Sequence, residues 1–322
     1  MVPEALLDFL RDHDSFLLIG HQEPDADCLG SQLALGSYLA RQGKTVKQYN
    51  HGPFKRAEIN SYQVGFSPRI DPLDKVSRPG VIVLDCSSVD RIGDLQHDLS
   101  GLLVAVIDHH ASSLGFGDVR WIEPQRPSTT WMVHHLIVAQ GGVPNLEEAS
   151  WLMLGLATDT GFFRHVEAGK PDAFEAAAEL AKAGASAKAV YQQINGGKQL
   201  ANQKLMGLIL SRTESLFDGR VLYSWEDQSD RPRFGAENRE SDMIYQTLQG
   251  VAGVELIILL RQDTATTVTA GLRSRAIVDV GALALKFGGG GHVRASGFSC
   301  EGLLSDVKTR LLAEVAALIG PA

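Results

Sequence analysis

Short apolar runs alternate with stretches of helical periodicity in the first half of the chain. The runs predict strands over 15–19, 44–49, 81–84 and 102–107, and the stretches predict helices over 29–41, 128–139, 146–157 and 171–182. Alternation of this kind is typical of a parallel sheet with crossover helices. The first half therefore predicts an α/β domain.

The second half has a different pattern. It predicts helices over 187–215, 278–287 and 303–319 and strands over 220–225, 254–260 and 266–272, with interruptions at Gly184 and Gly196-Gly197. Since 322 residues is about twice the usual domain size, we expect two domains, residues 1–185 and 216–322, joined by a helical linker over 186–215.

Composition narrows the class of protein. The chain is 44% hydrophobic and has no basic-then-apolar leader and no apolar run of about 20 residues, so we expect a cytoplasmic protein without a membrane segment. Its three cysteines are far apart and lack a C-x-x-C spacing, which favours neither disulfides nor a zinc site. The net charge of −8 argues against binding of long nucleic acids and leaves room for a small phosphorylated ligand.

Acids and histidines follow several of the predicted strands. Asp85 and Asp108 come directly after apolar runs, and His21 follows one after Gly20, so all three should meet at the carboxyl edge of the sheet. The complete set of candidates is His21, Asp25, Asp27, Asp85, Asp108, His109, His110 and Asp159. Carboxylates mixed with imidazoles suit divalent ions, and six such groups could hold two, as in a two-metal hydrolase.

Each candidate also has a structural alternative. Asp25 or Asp27 could cap the helix that follows, and Asp85 and Asp159 could be turn residues. The segment 108–110 is harder to explain in that way, because three ionisable groups after a buried strand would be costly without partners. A second histidine pair, His134-His135, is predicted to lie at the surface or the edge of the core.

The second half contains a candidate anion site. Gly288–Gly291 followed by His292 suggests a backbone that approaches a ligand closely, with amides directed at an anion. Arg273-Ser274-Arg275, at the end of a predicted strand, adds two guanidiniums suited to phosphate. The alternatives are a flexible loop or helix cap for the glycines and solvent exposure for the arginines.

Taken in order, these motifs resemble a known family. The set His21-x-x-Pro24-Asp25-x-Asp27-x-x-Gly30-Ser31, Asp85, Asp108-His109-His110, Asp159 and Gly288–Gly291-His292-x-x-Ala295-Ser296-Gly297 is similar to that of the DHH phosphoesterases with a DHHA1 domain, and especially their nanoRNase branch. The resemblance implies a smaller, mixed-sheet C-terminal domain, an active site in the cleft between the domains, and dimerisation.

The resemblance also implies a role for each residue. His21 and Asp25 would bind one ion, Asp27, His109 and Asp159 the other, and Asp85 both, with Mn²⁺ the usual metal and Mg²⁺ or Co²⁺ as alternatives. Asp108 would orient the site and His110 would face the scissile phosphate. The terminal phosphate of the substrate would be bound by Arg273, Ser274, Gly289, Gly290, Gly291 and His292.

The expected activity is hydrolysis of short oligoribonucleotides and removal of the 3′-phosphate from 3′-phosphoadenosine-5′-phosphate. A phosphodiesterase acting on cyclic di-AMP or its linear product shares the same motifs and remains an alternative. A RecJ-like exonuclease would need extra nucleic-acid-binding modules, and a family II pyrophosphatase lacks the Gly-Gly-Gly-His signature. A non-enzymatic nucleotide-binding module would be expected to have lost ligands, and none is missing here.

Overall fold

A computed structural model describes residues 1–110, 115–236 and 241–319. Its internal contacts divide the chain into two units, Met1–Gly197 and Lys198–Ala322. Within the described residues, no helix is both long enough and apolar enough to cross a bilayer.

The first unit is built on a parallel sheet of five strands in the order β2-β1-β3-β4-β5. The strands are β1 (Ser15–Gly20), β2 (Thr45–Tyr49), β3 (Gly80–Leu84), β4 (Val104–Asp108) and β5 (Val119–Ile122). The helices are α1 (Glu4–Asp12), α2 (Ala26–Arg41), α3 (Thr129–Ala139), α4 (Leu146–Asp159), α5 (Asp172–Lys182) and α6 (Ala187–Asn195). Short 3₁₀ helices lie at Asn60–Gly65, Pro72–Lys75 and Val89–Asp98.

The apolar runs that predicted the central strands are buried on both faces of the sheet. Along β1, Phe16 and Leu18 pack into the core formed with the helices, whereas Leu17 and Ile19 pack into a second core on the opposite face. Successive side chains of a strand point to opposite faces, so a strand covered on both sides has to be apolar throughout.

The second unit has a six-stranded mixed sheet in the order β10-β11-β9-β8-β7-β6, in which β7 and β8 pair in parallel and the other neighbours are antiparallel. The strands are β6 (Glu214–Leu216), β7 (Val221–Glu226), β8 (Leu256–Gln262), β9 (Thr267–Ser274), β10 (Gly290–His292) and β11 (Ala295–Glu301). The helices are α7 (Leu200–Ser211), α8 (Asp230–Phe234), α9 (Ser241–Gln249), α10 (Val280–Leu285) and α11 (Leu304–Ile319). The predicted α/β class, with a parallel sheet first and a mixed sheet second, is confirmed.

Some element predictions were wrong in detail. The helical stretch predicted over 187–215 is broken between α6 and α7, as the interruption at Gly196-Gly197 predicted, but its last residues belong to strand β6. The glycine loop predicted at 288–291 is only partly a loop, because Gly290 and Gly291 lie in β10 and pair with β11. Strands β5 and β11 and helices α1, α8 and α9 were not predicted at all.

Candidate metal centre

Three neighbouring strands end at the same edge of the parallel sheet, and polar residues stand at each end. His21 follows β1, Asp85 follows β3, and Asp108 is the last residue of β4. The N–H of Asp85 donates to the carbonyl of Ile107 (2.9 Å), and its backbone is left-handed, with φ 61°. A non-glycine residue adopts this conformation only where its surroundings hold it. The turn therefore keeps Asp85 beside the end of β4.

The ring of His21 is oriented by its own loop. Its Nδ1 donates to the carbonyl of Gln22 (2.7 Å), which leaves Nε2 directed toward Asp85 Oδ2 (3.4 Å) and Asp25 Oδ1 (3.9 Å). A carbonyl partner on one ring nitrogen leaves the lone pair of the neutral ring on the other nitrogen, as in protein metal sites. His21 is therefore prepared to bind a cation through Nε2.

His109 has the same arrangement with a partner from a distant segment. Its Nδ1 donates to the carbonyl of Arg126 (3.2 Å). Its Nε2 lies 3.1 Å from Asp159 Oδ2, 3.8 Å from Asp27 Oδ2 and 3.8 Å from Asp85 Oδ1. Both histidines thus present Nε2 to carboxylates.

The start of helix α3 holds two of the carboxylates. Asp27 accepts from the backbone N–H groups of Thr129 (2.7 Å) and Thr130 (2.8 Å) and from the Thr130 hydroxyl (2.6 Å). The Thr129 hydroxyl donates to Asp85 Oδ1 (2.8 Å). Free N–H groups and the helix dipole make a helix N-terminus favourable for negative charge. The first turn of α3 therefore fixes both carboxylates.

The other two predicted ligands lie at helix ends. Asp25 caps α2, because its Oδ1 accepts from the N–H groups of Asp27 (3.1 Å) and Cys28 (3.0 Å). Asp159 is the last residue of α4 and reaches His109 from there. The capping alternative is thus correct for Asp25, and the cap also holds its carboxylate beside His21.

These buried carboxylates carry more negative charge than their surroundings balance. Burial and the neighbouring Asp159 raise the pKa of Asp27 to about 6, and burial together with Asp27 raises the pKa of Asp85 well above its ordinary value. Burial disfavours the charged form of His109, but Asp159 and Asp27 outweigh it and raise its pKa to about 10. The electrostatics of the site therefore favour added positive charge.

The donor set fits divalent ions. Ligand atoms of Asp27, His109 and Asp159 lie within 4.8 Å of one another, and so do those of Asp85, His109 and His110. In the described part of the chain His109 Nε2 is buried and, although Asp159 Oδ2 lies 3.1 Å away, the geometry of that contact is not that of a hydrogen bond. Buried polar atoms of that kind require an explanation. A cation among three carboxylates provides one.

Asp108 and His110 form a hydrogen-bonded pair next to Asp85. Asp108 is fully buried, and its Oδ1 accepts from the backbone N–H (3.1 Å) and from Nδ1 (2.8 Å) of His110. Burial opposes ionisation of Asp108, but the hydrogen bonds from His110 lower its pKa below the ordinary value. The His110 side chain is 42% exposed. Asp108 thus orients a ring that is accessible to a ligand.

In the second unit, strand pairing aligns several of the predicted phosphate-binding residues. His292 pairs with Ala295, which pairs with Arg273, so His292 and Arg273 stand in one row across β10, β11 and β9. Gly290 lies two residues before His292 and is aligned with Gly297 of β11 and Gly271 of β9. The guanidinium of Arg273 lies 4.3 Å from the ring centroid of Tyr245, and His292 is exposed.

Two of the glycines are required by packing. A Cβ at Gly289 would lie 2.2 Å from the carbonyl oxygen of Gly297, and one at Gly291, where φ is 140°, would lie 2.6 Å from the Cα of Ser296. Gly288 follows α10 with φ 77°, as expected of a helix cap. The hydroxyl of Ser274 is buried and donates to Glu255 Oε1 (3.1 Å). Ser274 therefore supports the end of β9.

The sequence did not indicate the residues that hold the ligands in place. Thr129 and Thr130 belong to a run of small hydroxyl residues at a helix start, a pattern typical of a helix cap. Cys28 lies in a group with His21 and Asp85, but burial raises the pKa of its thiol to about 11. It therefore remains a neutral thiol beside the ligands.

A parallel sheet that gathers carboxylates and imidazoles at its carboxyl edge, followed by a mixed-sheet domain, defines a metal-dependent hydrolase. Comparison with known proteins agrees with this class. The DHH family N-terminal domain matches residues 15–156, and the DHHA1 domain matches residues 218–320. The chain belongs to the DHH phosphoesterase family, with a DHHA1 domain after its DHH domain.

Two similar proteins carry the name bifunctional oligoribonuclease and PAP phosphatase NrnA. The one from Thermus thermophilus is 29% identical over 88% of this chain and 83% of its own length. The one from Bacillus subtilis is 27% identical over 92% of this chain and 95% of its own length. A solved structure of an exopolyphosphatase-related protein from Bacteroides fragilis has the same fold, with a TM-score of 0.78 at 22% identity over 98% of this chain and 96% of that chain.

Proposed function

We propose that this protein hydrolyses short RNA oligonucleotides, dinucleotides and slightly longer chains, to mononucleotides and removes the 3′-phosphate from 3′-phosphoadenosine-5′-phosphate. The observation that carries the proposal is the convergence of two oriented histidines, His21 and His109, on the buried carboxylate of Asp85. The choice of substrate is supported by the two NrnA proteins, which match this chain over most of both lengths.

The proposed cofactors are two divalent ions, with Mn²⁺ as the preferred metal. His21 and Asp25 would hold one ion, Asp27, His109 and Asp159 the other, and Asp85 would contact both. Bound ions of this kind supply Lewis-acid activation of water and neutralise charge on phosphate oxygens. Imidazoles mixed with carboxylates suit Mn²⁺, and Mg²⁺ or Co²⁺ would fit the same donors.

His110 is proposed to act on the substrate. Because the Nδ1 of His110 donates a hydrogen bond to Asp108 Oδ1 (2.8 Å), the exposed side of the ring remains available to a ligand. From that side it would donate a hydrogen bond or a proton to the leaving oxygen of the scissile phosphoester. Asp108 would stabilise the protonated ring and fix its orientation.

The second unit is proposed to hold the terminal phosphate of the substrate. Arg273 and His292 supply charge and hydrogen-bond donors from one row of the sheet, and Gly289–Gly291 allow close approach of the backbone. Ser274 would contribute by holding the strand end through Glu255.

The proposal is tested with a hydrolysis panel in the presence of Mn²⁺. The panel contains linear dinucleotides, longer oligoribonucleotides, 3′-phosphoadenosine-5′-phosphate, cyclic di-AMP and pyrophosphate, and products are separated by ion-exchange chromatography. We expect the fastest turnover with short linear RNA, release of phosphate from 3′-phosphoadenosine-5′-phosphate, and loss of both activities in Asp85→Ala.

Hydrolysis of pyrophosphate or of long DNA alone would contradict the proposal, as would intact turnover in Asp85→Ala. Preference for cyclic di-AMP over linear dinucleotides would favour the alternative phosphodiesterase.

A further inference from the structure

A second group of cationic side chains lies beside the metal centre, within the first unit itself. A cavity of about 360 Å³ opens next to His21 and Asp25, and Arg56 and Arg91 form part of its wall. Both arginines are exposed. Neither belongs to the proposed metal ligands or to the proposed phosphate-binding residues of the second unit.

The loop that carries Arg91 is fastened to the metal centre. The backbone N–H of Gln22, next to His21, donates to the carbonyl of Arg91 (2.7 Å). Two residues further on, Gly93 has φ 64°, and a Cβ there would lie 2.2 Å from the side-chain Nε2 of Gln22. A glycine in this conformation permits the close approach. The position of Arg91 is therefore fixed relative to His21.

The segment that carries Arg56 is fastened in the same way. The N–H of Glu23 donates to the carbonyl of Gly52 (3.1 Å), and Lys55 forms an ion pair with the carboxylate of Glu23. Glu23 is the acidic residue of the cavity wall that is not a proposed metal ligand, and its ion pair with Lys55 neutralises its charge. Backbone hydrogen bonds from Gln22 and Glu23 thus hold the segments of both arginines at the wall of the same cavity.

The two guanidiniums are available to bind an external ligand. Across the residues that the structure describes, neither Arg56 nor Arg91 makes a side-chain hydrogen bond or an ion pair with a carboxylate. The carboxylate of Asp25 is already engaged in capping α2. Two guanidiniums beside one cavity suit the oxygens of a phosphate, to which each can donate two hydrogen bonds.

We infer that Arg56 and Arg91 form a further phosphate subsite, which binds the phosphodiester next to the scissile one in RNA of three or more nucleotides. The inference rests on the proposed function. A 5′-phosphorylated dinucleotide has two phosphates, one at the metal centre and one at the proposed terminal site of the second unit. A third phosphate exists only in longer chains, and the cavity that Arg56 and Arg91 line is also lined by His21 and Asp25 of the proposed metal centre.

The test compares 5′-phosphorylated di- and trinucleotides of the same base. The ratio of their kcat/KM values is measured for the wild type, Arg56→Gln, Arg91→Gln and Arg91→Lys with Mn²⁺ present. Because a hydrogen bond between charged groups is lost, each Gln variant should lower the trinucleotide-to-dinucleotide ratio by about 10-fold, through KM. Arg91→Lys should retain part of the ratio, since it keeps the charge without the bidentate geometry.

Arg78→Gln is the matched control. Arg78 is exposed and precedes β3, at the edge of the sheet opposite the metal centre, so its ratio should equal that of the wild type. An unchanged ratio in both Gln variants overturns the inference. If the ratio is unchanged because kcat/KM falls equally for both substrates, the arginines act on the scissile phosphate instead. A wild type that cleaves neither substrate overturns the proposed function and this inference with it.

Discussion

The histidines of the metal centre owe their geometry to backbone carbonyls. His21 uses the adjacent carbonyl of Gln22, and His109 uses that of Arg126, 17 residues further along the chain. The sequence predicted which histidines meet the carboxylates, because they follow buried strands. It could not predict which ring nitrogen faces the carboxylates, since the hydrogen-bond partner of His109 comes from a segment with no regular pattern.

The hydroxyl of Thr130 should matter for ion binding although it is not a proposed ligand. It donates to Asp27 Oδ1 (2.6 Å) and helps to fix that carboxylate. Removing such a supporting hydrogen bond typically lowers metal affinity by about 10–100-fold. We expect Thr130→Val to bind Mn²⁺ about 10-fold more weakly in isothermal titration calorimetry.

Thr247→Val is the control for that variant. Its hydroxyl donates to the carbonyl of Met243 in its own helix, so Mn²⁺ affinity should not change. Equal affinities in Thr130→Val and the wild type would contradict the supporting role of Thr130.

A single buried histidine should give the fold a measurable acid sensitivity. His134 was predicted at the surface or core edge, but only 2% of it is exposed. Burial and the neighbouring His135 lower the pKa of His134 to about 4, although Glu179 opposes this. Between an unfolded pKa of about 6.5 and a folded pKa of about 4, the unfolded chain takes up a proton that the folded chain does not. The free energy of unfolding should therefore decrease as the pH falls through that interval.

Urea unfolding at pH 7 and pH 4 measures this effect. The wild type should lose about 3 kcal/mol more than His134→Gln over the interval. His135→Gln, which keeps the buried histidine, should retain most of the wild-type loss. The interpretation fails if the wild type and His134→Gln lose the same amount.

At the level of elements, the positions of the ligands depend on the close contact of α2 with α4. A Cβ at Gly30 would lie 2.6 Å from the carbonyl oxygen of Trp151, and one at Gly155 would lie 2.9 Å from the Cα of Asp27. Two glycines thus let the helix that carries Asp25 and Asp27 approach the helix that ends at Asp159. The family motif contains Gly30, but periodicity alone gave no reason for Gly155.

Gly155→Ala should separate these helices. Overpacking of this kind costs about 1–3 kcal/mol of stability, and moving Asp159 away from Asp27 should also weaken Mn²⁺ binding. Gly207→Ala is the matched control, because Gly207 lies in helix α7 and a Cβ added there would have no atom within 4 Å. That change should stabilise the protein by about 0.5–1 kcal/mol. Thermal unfolding measures the change in stability, and a Mn²⁺ titration measures the change in affinity. Unchanged stability and unchanged Mn²⁺ affinity in Gly155→Ala would contradict the proposed role of this helix contact.

Elements were predictable where burial imposed a long apolar pattern. β1, β3 and β4 are buried along their lengths and were recognised from their apolar runs. β5 is a four-residue edge strand with one buried residue, and β10 consists of two glycines and a histidine. Such strands are defined by pairing with a neighbour, and local sequence does not encode that pairing strongly.

At the scale of the whole molecule, the order of the motifs carried more information than any single motif. Asp85 and Asp159 alone resemble turn residues, and the capping alternative for Asp25 is correct as far as it goes. Each unit has its own cores, so the sequence predicted two sheets from two separate sets of apolar runs. The cation cluster of Arg56 and Arg91 was missed because those residues lie in segments without a strand or α-helix and meet only through backbone hydrogen bonds to residues 22 and 23.

The DHH domain is proposed to hold two divalent ions through a shared Asp85. Counting the Mn²⁺ ions bound per chain tests it most directly, with free Mn²⁺ measured by electron paramagnetic resonance during a titration. The wild type should bind two ions, and so should the control Asp14→Asn, whose carboxylate is fully exposed before β1. Asp85→Asn should bind at most one ion over the same range. Fewer than two ions in the wild type, or two ions of unchanged affinity in Asp85→Asn, would contradict the account.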